Sequence, residues 1–172
     1  MTLDTDIHQL AESLGEELSK REWHVTAAES CTGGGIATAI TSVAGASNWF
    51  EGAVVSYANR IKRDLLTVEE GDLETFGAVS EPVVRQMASS VLGLMDAQLA
   101  VAVSGIAGPD GGSEEKPVGT VWIAWAHSVG QEPVEIDARC FHFKGDRAAV
   151  QAQTVAEALR GMLALVRAHP AP

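Results

Sequence analysis

The spacing of apolar residues predicts a long helix at each end of the chain. Between residues 5 and 21, apolar side chains recur at intervals of three and four, with acidic residues at the start and basic residues at the end. This pattern is typical of a helix that packs one face against a core. A second helix is predicted to begin at Asp146, because apolar residues again recur at intervals of four and three as far as Val166.

Five segments between these helices have the hydrophobic pattern of strands. Residues 25–28 and 99–103 are short, continuous apolar runs, as expected for central strands that are buried on both faces. Residues 52–57 are rich in β-forming side chains. Residues 118–126 and 134–143 flank a glycine-containing turn, which predicts an antiparallel hairpin.

Helical segments are predicted between the strands. The first begins after a run of three glycines and extends to about Val43, a short one covers residues 69–75, and a longer one follows Ser80, which we expect to cap it. Strands that alternate with helices, together with one hairpin, predict an α/β fold. We expect a three-layer α/β/α sandwich with a mixed, mostly parallel sheet.

The composition predicts one domain that spans residues 1–172 and lies in the cytoplasm. Of the 172 residues, 46% are hydrophobic, and no run approaches the roughly 20 apolar residues of a membrane span. The first six residues are partly acidic and lack the layout of a signal peptide. The two cysteines, Cys31 and Cys140, have no spacing typical of zinc or disulfide frameworks. We therefore expect a reducing compartment and no membrane partner.

The charge of the chain argues against a nucleic-acid partner. The formal net charge is −11, whereas proteins that bind nucleic acid neutralise phosphates with clustered lysine and arginine. A small anionic substrate would need a local concentration of cations. Two groups of residues meet that need, although most of their members are expected to be solvated surface charges. They are Arg60, Lys62 and Arg63, and then Lys144 with Arg147.

The richest candidate site begins at Ser30, between a predicted strand and a predicted helix. A hydroxyl, a thiol and a second hydroxyl come directly before three glycines, in the order Ser30, Cys31, Thr32, Gly33, Gly34. Such a turn offers free N–H groups and the positive end of a helix, so it suits either a nucleophile with its oxyanion hole or an anion-binding cradle. Serine and glycine are also ordinary in caps and turns, so this pattern alone leaves both functions open.

Several well-known sequence templates are absent. The loop at Gly105 lacks the Gly-Lys-Ser/Thr ending of a P-loop, and the glycines after Thr32 do not continue as a dinucleotide-binding motif. No glycine flanks Ser30 as in a hydrolase elbow, and Gly33 stands where a Ser-x-x-Lys motif needs lysine. The carboxylates are scattered rather than spaced as metal ligands, so we predict no metal.

Five motifs in register resemble the CinA C-terminal-domain family, the nicotinamide-nucleotide amidohydrolases. The resemblance runs from Ala27 to Arg147 and, with the final helix, covers nearly the whole chain. Longer family members carry a further N-terminal domain, and this chain resembles the stand-alone form. The motifs are residues 27–34 (AAESCTGG), 57–62 (YANRIK), 77–80 (GAVS), 104–112 (SGIAGPDGG) and 117–121 (PVGTV).

The resemblance implies hydrolysis of the carboxamide of nicotinamide mononucleotide, without a cofactor, by a homo-oligomer. It implies that Ser30 is the nucleophile, that Lys62 is the base that activates it, and that Tyr57 supplies a supporting hydroxyl. Lysine can act as this base when burial or a cationic neighbour lowers its pKa. The N–H groups near Thr32 and Gly33 are the expected oxyanion donors, and Arg147 is a candidate for the phosphate. The further substrate-binding candidates are Gly34, Asn59, Ser104, Gly105, Ala107 and Gly108.

Three alternatives stay open at this stage. Cys31 is the rival nucleophile, although we expect it to pack into the core. A catalytically silent module that only binds a nucleotide would keep the fold, but it would not need Ser30, Tyr57 and Lys62 together. A hydrolase of other small amides is the third reading.

Overall fold

A computed structural model describes residues 2–171, so Met1 and Pro172 of the predicted domain lie outside the described residues. A short 3₁₀ turn, Ala46–Asn48, separates the first two helices from the second strand. In chain order the elements are α1 (Leu3–Arg21), β1 (Val25–Glu29), α2 (Gly35–Thr41), β2 (Phe50–Val55), α3 (Asn59–Leu66), α4 (Glu70–Phe76), α5 (Glu81–Leu94), β3 (Leu99–Gly105), β4 (Thr120–His127), β5 (Glu135–His142) and α6 (Arg147–Ala168).

The five strands form one mixed sheet in the order β2-β1-β3-β4-β5. The first three are parallel neighbours, whereas β4 pairs antiparallel with both β3 and β5. Four strands therefore run in one direction and only β4 opposes them. The predicted α/β sandwich with a mixed, mostly parallel sheet is confirmed, and so is the predicted hairpin.

Helices cover both faces of the sheet, and the two faces differ in the size of their side chains. Helices α1, α2 and α6 pack on a face that presents valine, leucine, isoleucine and Trp125. Helix α5, with the end of α3, packs on a face of alanines from β1, β3 and β4. Alternating side chains of one strand supply both faces, as the pleat requires. Within the described range, no helix is both long enough and apolar enough to cross a membrane.

Several predicted boundaries were wrong by a few residues. Helix α2 ends at Thr41 rather than Val43, and β2 ends at Val55, so Tyr57 lies beyond the strand. Ser80 stands at the N-cap of α5, but its hydroxyl donates to the carbonyl of Gly77 instead of capping the helix. Asp146 does cap α6, since its carboxylate accepts from the N–H of Ala149 at 2.9 Å.

Candidate active site

The candidate site lies at the carboxyl ends of the three parallel strands. Glu29 of β1 pairs in register with Val55 of β2 and Val103 of β3. The next residue after each of these three is a serine, at positions 30, 56 and 104, and all three serines are buried. Parallel strands present their carboxyl ends at one edge of the sheet, which is where open α/β folds bind ligands.

Lys62 reaches Ser30 from the second turn of α3. Its Nζ lies 2.9 Å from Ser30 Oγ, 2.7 Å from the carbonyl oxygen of Ser56 and 3.1 Å from that of Tyr57. The side chain is only 1% exposed, which is rare for lysine and calls for polar partners of this kind. The two carbonyls fix the direction of the amine toward the serine hydroxyl.

Burial changes the proton affinity of two groups beside Ser30. Desolvation of the charged form lowers the pKa of Lys62 from 10.5 to about 8, although Cys31 acts in the opposite direction. Burial also raises the pKa of the Cys31 thiol to about 12. A neutral amine is therefore accessible near neutral pH, whereas a Cys31 thiolate is strongly disfavoured.

Tyr57 and Arg147 meet at the mouth of the site. The guanidinium of Arg147 donates to Tyr57 Oη at 3.1 Å and to the carbonyl oxygen of Gly108 at 2.8 Å. The ring of Tyr57 is largely solvent-exposed at 60%. The pair joins the start of α6 to the loop after β2, so an arginine charge is held beside the opening.

Two adjoining cavities open around these residues. The inner one has a volume of about 220 Å³, and the neighbouring one, of about 520 Å³, shares Ala107 and Arg147 with it. Most of the predicted site residues line the inner cavity. They are Ser30, Tyr57, Asn59, Lys62, Ser104, Gly105, Ala107 and Arg147. Ser104 is 1% exposed, and its hydroxyl makes no hydrogen bond within residues 2–171.

The remaining predicted residues do not line the inner cavity. Thr32 donates its hydroxyl to Glu29, and the N–H of Gly33 already donates to the carbonyl oxygen of Ser30 at 3.1 Å. Gly34 is the N-cap of α2 with φ of 105°, a conformation that favours glycine. Gly108 takes part only through its carbonyl, which accepts from Arg147. The N–H groups of Cys31, Thr32 and Gly34 make no hydrogen bond within residues 2–171, so of the two expected oxyanion donors Thr32 is the one left free.

The expected clusters of cations are mostly not available to a ligand. Arg60 and Arg63 both form ion pairs with Asp64, and Arg63 also pairs with Glu70. These two arginines lie outside the inner cavity, which holds only Lys62 and Arg147 as cationic groups among its lining residues. Arg60 and Asp64 have the i,i+4 spacing that is typical of ion pairs on exposed helices, whereas Arg63 also reaches Glu70 of α4.

Cys31, the rival nucleophile of the sequence analysis, lines the inner cavity. Two further features of the site were not predicted. Ala78 and Val79 close the wall of the cavity from the segment before α5, and the presence of these two residues in a motif of the resembled family was the one available signal. Glu29 was also missed as a site residue, and its fully buried carboxylate accepts from Thr32 Oγ1, from the N–H of Ile36 and from the N–H of Ala37. No group of three potential metal ligands is formed by residues of the described range.

Comparison with known proteins places the chain in a defined enzyme class. The protein is 50% identical over 157 residues to "Nicotinamide-nucleotide amidohydrolase PncC" of Escherichia coli K12, which covers 91% of this chain and 93% of that protein. A protein of the same name from Pseudomonas putida is 50% identical over 159 residues, covering 92% and 96% respectively. On this evidence the protein is an amidohydrolase.

The family can also be stated. The sequence profile of the CinA C-terminal domain matches residues 7–166, and the chain belongs to this family. A crystal structure of a CinA superfamily protein from Klebsiella pneumoniae has a TM-score of 0.88 at 37% identity, covering 95% of this chain and 99% of that one. A competence/damage-inducible protein from Agrobacterium tumefaciens has a TM-score of 0.87 at 41% identity, covering 93% and 95%.

Proposed function

We propose that this protein hydrolyses the carboxamide of nicotinamide mononucleotide to nicotinic acid mononucleotide and ammonia. The observation that carries the proposal is the 2.9 Å contact between Lys62 Nζ and Ser30 Oγ inside a cavity. The relatives from Escherichia coli and Pseudomonas putida are named nicotinamide-nucleotide amidohydrolases, which supports the choice of substrate. The proposed unit is the single domain predicted from the sequence.

In the first step Lys62 acts as the general base. A neutral amine keeps two N–H bonds, which the carbonyls of Ser56 and Tyr57 accept, so its lone pair faces the hydroxyl of Ser30. Lys62 takes the hydroxyl proton while Ser30 Oγ bonds to the carboxamide carbon, and the carbonyl oxygen becomes an oxyanion. The resulting ammonium passes a proton to the amide nitrogen, the C–N bond breaks, and ammonia leaves.

In the second step water hydrolyses the acyl-enzyme. Lys62 is neutral again after ammonia has left, so it can take a proton from water as it did from Ser30. Hydroxide adds to the acyl carbon, the bond to Ser30 Oγ breaks, and the serine recovers its proton from Lys62. The products are nicotinic acid mononucleotide and the starting form of the enzyme. No metal or organic cofactor enters either step.

The oxyanion is assigned to donors in the turn that follows Ser30. The N–H of Thr32 has no other partner in the described residues, whereas that of Gly33 is already engaged. A donor of this kind contributes roughly 3–4 kcal/mol to the stabilisation of the transition state in other acyl-transfer enzymes. Thr32 is therefore the preferred donor, and Gly33 acts by shaping the turn.

Ser30 is assigned as the nucleophile in preference to Cys31. Lys62 contacts the serine hydroxyl directly, while the pKa of the Cys31 thiol is raised to about 12 by burial. A thiol that stays protonated is a poor nucleophile. Cys31 packs in the core that α2 and α6 share with the sheet.

The two cavities suggest how the nucleotide lies. A nicotinamide ring fits the inner cavity of about 220 Å³, with its carboxamide toward Ser30, and the ribose phosphate extends into the neighbouring cavity. Arg147 stands between them and can bind phosphate through two N–H groups if it releases Tyr57. Tyr57 then becomes free to cover the ring.

The test is an assay of ammonia release from nicotinamide mononucleotide, its riboside and free nicotinamide, at equal concentration and fixed salt. The proposal expects the mononucleotide to be the best substrate by at least tenfold in kcat/KM, since a charge-assisted phosphate contact is worth on the order of 2 kcal/mol. Equal turnover of all three would instead identify a general small-amide hydrolase. Binding of the mononucleotide without ammonia release would identify a nucleotide-binding module.

A further inference from the structure

Glu29 is a fully buried carboxylate in a position that needs explanation. It is the last residue of β1, directly before Ser30, and it is 0% exposed. No lysine, arginine or histidine forms an ion pair with it within residues 2–171. Burying a carboxylate without a counter-ion costs several kcal/mol unless hydrogen bonds replace the lost water.

Three donors compensate for this burial, and all belong to the segment that carries Ser30. The carboxylate accepts from Thr32 Oγ1 at 2.6 Å, from the N–H of Ile36 at 2.8 Å and from the N–H of Ala37 at 3.0 Å. Ile36 and Ala37 are in the first turn of α2, where N–H groups lack helical partners. One side chain thus ties the start of the turn to its middle and to its end.

The backbone of Glu29 also connects to the base. Its carbonyl oxygen accepts from the N–H of Ser56 at 2.7 Å and from the hydroxyl of Ser56 at 3.3 Å. The carbonyl of Ser56 in turn accepts from Lys62 Nζ. The side chain of Glu29 therefore contacts the turn that carries Ser30, and its main chain contacts Ser56, which orients Lys62.

We propose that Glu29 is a positioning residue that holds Ser30 against Lys62, and that its carboxylate, rather than substrate, occupies the N-terminus of α2. The inference rests on the proposed role of Ser30. Glu29 does not line the inner cavity, so it acts on the reaction only through the geometry of the turn. Small errors in such geometry lower the rate of chemistry far more than they lower the affinity for substrate.

The principal test is Glu29→Gln. The amide keeps the shape and one acceptor oxygen, but its NH₂ group would face a backbone N–H that now has no acceptor. We expect kcat to fall about tenfold to a hundredfold with KM within about twofold of wild type. Labelling of Ser30 by phenylmethanesulfonyl fluoride should slow in parallel, because this probe reports the nucleophile without requiring the nucleotide.

Two further variants separate positioning from general stability. Thr32→Val removes only the hydroxyl bond to Glu29 and should give a smaller loss of kcat, about threefold to tenfold, again without a change in KM. Glu17→Gln is the matched control, since this carboxylate pairs with Lys20 and Arg21 on α1. It should lower the melting temperature and leave kcat and Ser30 labelling unchanged.

The outcomes distinguish this inference from the proposed function. A folded Glu29→Gln protein with wild-type kcat and wild-type labelling overturns the inference, and so does a change confined to KM. If Glu29→Gln does not fold, the inference is tested with Thr32→Val instead. A wild-type kcat in Thr32→Val then overturns the inference. If Ser30→Ala retains activity, the proposed function itself fails.

Discussion

The two strand-to-helix junctions that build the site are fixed by different means. At the junction of β1 and α2, glycines form the turn, and the buried carboxylate of Glu29 binds donors within the turn and at the start of α2. At the junction of β2 and α3, no buried carboxylate is present, and Lys62 is held by the carbonyls of Ser56 and Tyr57. One junction presents a hydroxyl, and the other presents an amine.

In the proposed mechanism, with Ser30 as nucleophile and Lys62 as base, this difference matches the chemical demand on each side chain. A nucleophile must be placed accurately, and a network of short hydrogen bonds restrains the turn that carries it. A base must release and take up a proton, so a carboxylate near Lys62 would raise the pKa of the amine and keep it charged. Neutral carbonyls orient the amine while burial lowers its pKa to about 8.

The largest expected effect follows from removing the hydroxyl at the first junction. Ser30→Ala should lower kcat for nicotinamide mononucleotide about ten-thousand-fold and leave the fold intact, as loss of the nucleophile does in serine hydrolases. Ammonia release and far-UV circular dichroism provide the measurements. Cys31→Ala is the matched control and should stay within about threefold of wild type. The reverse result would transfer the nucleophile to Cys31.

The second prediction tests the base at the other junction. Because the neutral amine is required and the pKa of Lys62 is about 8, turnover should rise about tenfold per pH unit below pH 8 and level off above it. Lys62→Arg keeps the charge but cannot accept the proton. Its turnover should be about a thousandfold lower than that of wild type and should not rise with pH below pH 8. A fully active arginine variant would leave Lys62 with a binding role only.

The third prediction concerns the cost of keeping this lysine buried. The folded pKa of about 8 lies below the ordinary 10.5, so between these values the native state binds fewer protons than the unfolded state. Stability must therefore rise with pH across that window, by about 3 kcal/mol for Lys62 alone.

Urea unfolding of wild type and Lys62→Met at pH 7.5 and pH 10 measures this contribution. The difference between the two proteins isolates Lys62, because the buried Cys31 thiol adds an opposite trend to both. Lys62→Met should lack the gain. The same pH dependence in both proteins would show that the amine stays charged in the fold.

The smallest expected effect comes from Arg147, which contacts Tyr57 at the second junction and the carbonyl oxygen of Gly108. Arg147→Ala removes the bond to Tyr57 Oη and should lower kcat/KM for the mononucleotide about thirtyfold, with little change for free nicotinamide. Arg60→Ala is the control, since its exposed ion pair with Asp64 should contribute little. If the preference for phosphate survives in Arg147→Ala, the phosphate binds elsewhere.

The parts of the fold that depend on local pattern were predictable from the sequence. The apolar periodicity of α1 and α6, the continuous apolar runs of β1 and β3, and the hairpin all correspond to elements of the structure. Ser30, Tyr57 and Lys62 could be singled out because a family resemblance brought their motifs together. Neither spacing nor composition showed that α3 would aim an amine at the serine.

The parts that were missed depend on contacts between segments. No sequence spacing indicates that the Glu29 side chain turns back to the N–H groups of Ile36 and Ala37. Likewise, Arg60 and Arg63 formed a cationic cluster in the sequence, but their charges are taken by neighbouring carboxylates. The positions of charged residues in the sequence do not show where their side chains point, because tertiary packing determines that orientation.

The alignment of Ser30, Ser56 and Ser104 at one sheet edge has a consequence for how the enzyme becomes active. Ser30 and Ser56 directly follow β1 and β2, and Ser104 lies near the end of β3; these strands are joined through intervening helices rather than tight turns. Parallel pairing over such sequence distances forms late and slowly in folding. Activity should therefore return only after β1, β2 and β3 have paired. The rate at which turnover recovers during refolding would then report the rate of this pairing.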